Sequence, residues 1–150
     1  MSPKLRRLHG AIESPADAWL ACRMAAWALA LPVLKRVVRL ETLARLMWAD
    51  RGRTAARRDV AKIAQVSRLL ARRRPPQSYD RCYERSLLAY RFLSQRGADP
   101  RLVVALRKGD LGGMAGHAWV TVGGRPVDEP DLHEDYEPLV VFGRGGKREA

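Results

Sequence analysis

The spacing of apolar residues changes part-way along the chain, and that change restricts the fold more than any other feature of the sequence. In residues 14–74 apolar side chains recur every three or four positions, which predicts amphipathic helices. From residue 101 to residue 142 short apolar runs alternate with glycine-rich turns, which predicts β-strands. A chain of 150 residues has room for one domain. The order of these patterns therefore predicts a single α+β domain, 1–150, in which helices precede an antiparallel sheet.

The first expected helix begins at Ser14. Serine is a favoured N-cap, Pro15 fits the first helical position, and Asp17 suits the positive end of the helix dipole. We expect this helix to run to about Leu31, because Pro32 lacks the backbone N–H that a helix interior needs. Pro32 should therefore end the helix or kink it.

Two more helices are expected in the same N-terminal part. One should run from residue 32 to residue 49, and Thr54 should cap the other, which Pro75-Pro76 ends. Each helix has an apolar stripe at helical spacing. The stripe residues are Val33, Val37, Leu40, Ala44 and Met47 in the first, and Val60, Ile63, Val66, Leu69 and Leu70 in the second.

One segment is apolar enough to raise the question of a membrane span. Residues 18–34 make about 17 positions, at the short limit for a spanning helix that needs roughly 20. Arg23 lies among them, and an arginine at mid-helix costs roughly 2.5–3.5 kcal/mol on insertion scales. We therefore interpret the segment as a buried core helix, and peripheral contact with a membrane stays open.

The second half of the chain predicts one helix and a small sheet. Ser78 or Asp80 can cap the helix. Gly123-Gly124 fits a two-residue hairpin turn, because glycine accepts the positive φ that such turns require. The expected elements are a helix at 81–96, strands at 101–106, 117–122 and 136–142, a glycine-rich loop at 108–116 and a flexible polar tail at 143–150.

Cys82 falls at the second or third residue of the expected helix. A helix N-terminus carries partial positive charge and free N–H groups, which lower the pKa of a thiol and can hold an oxyanion. Cys82 is therefore a candidate nucleophile, although a cysteine is more often a small buried apolar residue. Cys22 lies in mid-helix among Ala and Trp, and we interpret it as such a small buried apolar residue.

His117 opens a strand directly after the glycine-rich loop, where a neutral imidazole can act as a general base. With the two glycines as the turn, Asp128 faces Trp119 and shares a sheet face with His117. Asp128 would then lie diagonal to His117, within reach of a carboxylate–imidazole hydrogen bond. A one-residue bulge would reverse the register and make Glu129 or Asp131 the candidate instead.

Cys82, His117 and Asp128 follow one another in the order nucleophile, base and orienting carboxylate, which is the logic of a thiol triad. Papain-like and transglutaminase-like cysteine enzymes have their nucleophile, base and carboxylate in the same order along the chain, and this chain resembles them in that respect. Its R-C-x-x-R-S-L block at 81–87 and its G-H-A-W-V block at 116–120 resemble the leader peptidase of lasso-peptide biosynthesis, a family of the transglutaminase-like superfamily. The resemblance covers about residues 14–142, and the length fits the stand-alone form of that family.

The resemblance implies a cysteine peptidase that cuts the leader from a ribosomally made precursor peptide, after which a separate cyclase forms a macrolactam. By position it makes Cys82 the nucleophile, His117 the base and Asp128 the orienting residue. It also implies a separate leader-binding recognition protein as partner. The chain then divides into an N-terminal helical part, 14–74, and a transglutaminase-like cysteine-peptidase core, 77–142. By analogy with papain-like enzymes, Gln77 is a candidate for a second oxyanion donor, beside the backbone N–H groups near Cys82.

Composition and motifs also indicate which cofactors, partners and cellular compartment to expect. No C-x-x-C, H-E-x-x-H or GxxxxGK[ST] motif is present, so we expect neither a metal nor another cofactor. The net charge of +12 suits a polyanionic partner, but no nucleic-acid-binding motif accompanies it, and no nucleic acid is expected. Two cysteines and the lack of a signal sequence predict the cytoplasm. Another transglutaminase-like acyltransferase and a non-enzymatic basic helical adaptor stay open as rival functions.

Overall fold

The structure, a computed structural model, describes residues 12–52, 54–72, 79–128 and 134–150. In these parts of the chain the helices are α1 Pro15–Val37, α2 Leu40–Met47, α3 Arg57–Ala71 and α4 Tyr79–Gln95. The strands are β1 Arg101–Lys108, β2 Met114–Val122, β3 Arg125–Pro126, β4 Glu137–Phe142 and β5 Arg148–Glu149. The sheet is antiparallel with the strand order β3-β2-β1-β4-β5, so the predicted α+β architecture is confirmed.

α4 is the central element of the core and is buried along most of its length. The helices α1 and α3 and the strand β2 all pack against it. Leu102 and Val120 face this core, whereas Val103 and Trp119 form a smaller cluster on the opposite face of the sheet. The largest fully buried side chains are Met24, Leu31, Leu43, Met47, Ile63, Leu87, Leu88, Tyr90, Phe92, Leu93, Leu102 and Phe142.

α1 continues through Pro32 to Val37, so the expectation that Pro32 ends the helix is wrong. Leu31 is fully buried against the core, and Lys35, one turn further on, forms ion pairs with carboxylates of α4. These tertiary contacts hold the last turns of α1 and outweigh the backbone hydrogen bond lost at Pro32. The second helix, expected at 32–49, is reduced to α2.

The interpretation of residues 18–34 as a buried core helix holds for one face of α1. Leu20, Met24, Ala28 and Leu31 are buried on that face, while the opposite face is exposed. By length and composition alone, α1 is long and apolar enough to cross a membrane.

α3 begins later than the sequence suggested. Its N-cap is Ala56, which makes no side-chain cap hydrogen bond, so the assignment of Thr54 as the cap is wrong. Ile63 and Val66 are buried as expected, whereas Val60, Leu69 and Leu70 are partly buried against the same core. Pro75-Pro76, the expected stop, lies outside the described residues.

The expected hairpin between β2 and β3 is confirmed. Gly123 and Gly124 have φ values of +58° and +77°, the left-handed conformation that the turn requires. Thr121 pairs with Pro126 and Val122 with Arg125, which is the predicted register. The next expected hydrogen bond is also present, from the backbone N–H of Val127 to the carbonyl of Val120 at 3.0 Å.

The C-terminal segment is ordered rather than the flexible tail that we expected. A 3₁₀ turn at Arg144–Gly146 leads into β5, which pairs with β4. The Tyr90 hydroxyl donates a hydrogen bond to the Gly143 carbonyl at 2.5 Å, and Gly146 lies so close to α2 that a Cβ would meet Arg45 backbone atoms at 2.4 Å. These long-range contacts fix a segment whose local sequence is polar.

Candidate active site

Cys82 lies near the described start of α4. It is the fourth residue of the helix, not the second or third, because α4 extends back to Tyr79. Asp80, which we expected as a cap, lies inside the helix. Ser78 and Gln77 lie outside the described residues.

The start of α4 packs against the part of β2 that carries His117. Ser86 donates a hydrogen bond through Oγ to the carbonyl of Ala118 at 2.9 Å. Ser86 Oγ also lies 2.7 Å from the carbonyl oxygen of Cys82, one turn earlier in α4. The turn of α4 that carries Cys82 therefore packs against Ala118, the neighbour of His117.

Tyr79 fixes the strand on the other side of His117. Its ring lies over Gly116, where a Cβ would meet the ring at 2.9 Å, and it stacks on Tyr83 with ring centroids 5.3 Å apart. The Cys82 thiol also donates a hydrogen bond to the Tyr79 carbonyl at 3.0 Å. Burial raises the pKa of Tyr79 to about 12, so its hydroxyl is neutral near pH 7.

Burial raises the pKa of the Cys82 thiol, so the low pKa expected from its place near a helix N-terminus is wrong. The residue is only 8 % exposed, and the loss of hydration disfavours the thiolate more than nearby groups favour it. The N–H of Ala118 and the charge of Arg85 act in the opposite direction. Cys82 rests as a neutral thiol and needs a base before it can act as a nucleophile.

Arg85 connects Cys82 to Asp128, and the sequence analysis gave it no role. It lies three positions after Cys82, on the same face of α4. Its Nε is 2.7 Å from Oδ2 of Asp128, and each of these two side chains is 6 % exposed. The R-C-x-x-R-S-L block contained this residue, but its spacing does not tell which arginine of a basic chain is buried.

Asp128 lies at the end of the hairpin, where the chain bends after the last confirmed hydrogen bond of the register. It is buried, and its ion pair with Arg85 ties the hairpin to the cysteine-bearing helix. Glu129 and Asp131, the alternatives for the third member of the site, lie outside the described residues.

His117 is half-buried, and its ring is held among aromatic side chains. The ring centroid is 5.6 Å from that of Trp119 and 4.9 Å from that of Tyr136. Side chains alternate along β2, so His117 shares a face with Trp119, while Ala118 faces α4. The imidazole is thus held on the face of β2 that carries Trp119, in an orientation that its aromatic neighbours restrict.

Lys35 offsets negative charge on the turns of α4 that carry Cys82. Its Nζ pairs with Asp80 and lies 3.1 Å from Oε1 of Glu84, whose side chain is 1 % exposed. The lysine of α1 therefore compensates the charge of the buried Glu84 and joins α1 to the turns of α4 that carry Cys82.

The other cysteine, Cys22, is exposed on α1, so its assignment as a small buried apolar residue is wrong, and both cysteines are free thiols. Within the described ranges, no three His, Cys, Asp or Glu side chains lie together as a group that could hold a metal ion.

A comparison with protein families agrees with this arrangement. A family model described as the transglutaminase-like superfamily matches residues 19–141, a range that contains Cys82, His117 and Asp128. No curated protein and no solved structure matches the chain. The superfamily includes cysteine peptidases and acyltransferases, and such a domain indicates a cysteine-dependent enzyme in general. With a match over most of its length and the helices and antiparallel sheet expected of such a domain, this chain belongs to the transglutaminase-like superfamily.

Proposed function

We propose that this chain is a cysteine peptidase that removes the leader from a ribosomally made lasso-peptide precursor. In this proposal Cys82 is the nucleophile, His117 the general base and Asp128 the orienting carboxylate. The observation that carries it is the hydrogen bond from Ser86, one turn after Cys82 in α4, to the carbonyl of Ala118, the residue next to His117. Superfamily membership supports cysteine chemistry in general, and the two sequence blocks at 81–87 and 116–120 support the leader peptidase.

The first half of the reaction is acylation. His117 takes the proton of the Cys82 thiol, and the thiolate attacks the carbonyl carbon of the last leader residue. The bond from carbon to the amide nitrogen breaks, and His117 returns the proton to the leaving amine. The products are a thioester between Cys82 and the leader, and a core peptide with a free N-terminus.

The second half is deacylation. His117 takes a proton from water, and the resulting hydroxide attacks the thioester carbon. The carbon–sulfur bond breaks, the leader departs with a carboxylate, and the Cys82 sulfur is reprotonated. The raised pKa of Cys82 makes the base necessary in the first half and makes the thiolate a poorer leaving group in the second.

The substrate and partners in this proposal come from the family resemblance. The chain acts in trans with a separate leader-binding recognition protein, and a cyclase then joins the freed N-terminus into a macrolactam. The free thiols of Cys22 and Cys82 suit the reducing cytoplasm, where precursor peptides are made.

The test is mass spectrometry of a cognate precursor incubated with this chain and the recognition protein. The native chain should cut one bond, and Cys82→Ser should cut none. Cys22→Ser is the matched control and should cut as the native chain does, because Cys22 is exposed on α1. Cleavage by the Cys82 variant, or none by a folded native chain with its partner present, would remove the peptidase proposal.

The same reaction mixture with an added primary amine distinguishes the acyltransferase alternative. A peptidase releases the leader as a carboxylic acid, whereas an acyltransferase releases it as the amide of the added amine. Retained binding of the precursor in Cys82→Ser with no cleavage by either protein would favour the adaptor.

A further inference from the structure

The outer face of α1 is apolar and exposed over most of the helix. Its large side chains, Trp19, Leu29, Val33 and Val37, are 68, 75, 62 and 72 % exposed. At a rise of 1.5 Å per residue, the distance from the first to the last is about 27 Å. We call the whole set the outer stripe: Trp19, Cys22, Ala26, Leu29, Ala30, Val33 and Val37.

Two charged side chains within α1, Arg23 and Lys35, leave the outer stripe uninterrupted because they turn toward the protein. Arg23 donates a hydrogen bond to Oε1 of Gln95 at 2.9 Å. Lys35 forms ion pairs with carboxylates of α4. Arg36 and Arg39 are exposed, and both lie at the C-terminal end of the stripe.

We propose that the outer stripe binds the surface of an anionic lipid bilayer, with α1 lying parallel to the membrane plane. An apolar stripe with a tryptophan at one end and arginines at the other has the composition of an interfacial helix. The net charge of +12 draws the whole chain toward an anionic surface. The opposite face of α1 is buried in the core, which keeps the helix attached to the domain.

Charge favours lipid over a second copy of this chain as the occupant of the stripe. Self-association would bring together two molecules that each carry +12, and their mutual repulsion opposes it. The composition of the stripe also favours lipid over a folded protein. A protein interface has about ten direct hydrogen bonds, whereas aliphatic side chains dominate this stripe. A bilayer surface requires no such pairing.

The test is co-sedimentation of the full chain with vesicles of phosphatidylcholine alone or mixed with phosphatidylglycerol. The native chain should bind the mixed vesicles and bind the neutral ones weakly. Changing both Leu29 and Val33 to Glu should weaken binding about tenfold or more, because two apolar side chains leave the bilayer. Changing Arg36 or Arg39 to Gln should weaken binding to the mixed vesicles about fivefold each.

Leu111→Glu with Met114→Glu is the matched control, since these side chains are 102 and 68 % exposed and lie outside α1. It should bind as the native chain does, and thermal unfolding should be unchanged in every variant. No binding by the native chain, equal binding to both kinds of vesicle, or equal loss in the control would overturn the proposal. The proposal would also fail if the native chain bound no vesicles and formed a dimer in analytical ultracentrifugation that the Leu29 and Val33 double variant did not form. None of these results depends on peptidase activity.

Discussion

At the scale of single residues, Arg85 interacts with two members of the candidate site, Asp128 and Cys82. It forms a buried ion pair with Asp128, and its charge lowers the pKa of the Cys82 thiol against the opposing effect of burial. Removing one partner of a buried ion pair leaves an uncompensated charge. Arg85 therefore has both a structural and an electrostatic consequence for the site.

Replacing Arg85 by Gln should raise the pKa of Cys82 further, because a positive charge that favours the thiolate is lost. The rate of Cys82 alkylation by iodoacetamide should then reach its half-maximal value at a higher pH, and Arg85→Lys should recover most of the shift. The measurement uses a Cys22→Ser background, so that Cys82 alone is labelled. The free energy of unfolding should fall by about 3–5 kcal/mol in Arg85→Gln.

Arg125→Gln provides the comparison, because Arg125 is an exposed residue of the hairpin. Its alkylation profile should match that of the Cys22→Ser parent. An unchanged midpoint in a folded Arg85→Gln protein, as judged by circular dichroism, would show that Arg85 does not act on the thiol.

The sequence was sufficient to name Cys82 and His117 as candidates, because residue type and position in an element are local properties. It missed Arg85 and gave the wrong direction for the pKa of Cys82, since both depend on burial by distant parts of the chain. The ring of Tyr136 beside His117 was missed for the same reason.

At the scale of secondary-structure elements, local signals predicted the structure correctly where residues adjacent in sequence determine the conformation. Ser14 caps α1 by accepting a hydrogen bond from the N–H of Asp17 at 3.2 Å, and the two glycines of the hairpin adopt the expected turn. The same signals failed at Pro32, at Thr54 and in the C-terminal segment. At Pro32 contacts with the core and with α4 outweigh local preference, and in the C-terminal segment a close approach to α2 does so.

Ser14→Ala should lower the free energy of unfolding by about 1 kcal/mol, because an N-cap hydrogen bond is lost. Thr54→Ala is the control and should leave it nearly unchanged, since Ala56 and not Thr54 precedes α3. Urea titration of both variants checks this. An equal loss in the two variants would contradict the assignment of the caps.

At the scale of the whole molecule, α4 joins the helical half to the sheet. Lys35 of α1 forms ion pairs with its first turns, and Ser86 binds the backbone of β2. The order of helices and strands was sufficient to predict an α+β fold. It was not sufficient to predict which strands are neighbours, because β4 lies beside β1 and that pairing depends on contacts distant in sequence.

The central claim is that Cys82 forms a thioester with the leader. The most direct measurement is acid quenching of this chain with the precursor and recognition protein of the proposed function, followed by intact mass analysis and peptide mapping. We predict an adduct with the mass of the leader acyl group on the peptide that contains Cys82, and none on the peptide that contains Cys22. Release of the leader without an adduct, and with cleavage retained in Cys82→Ser, would contradict the claim.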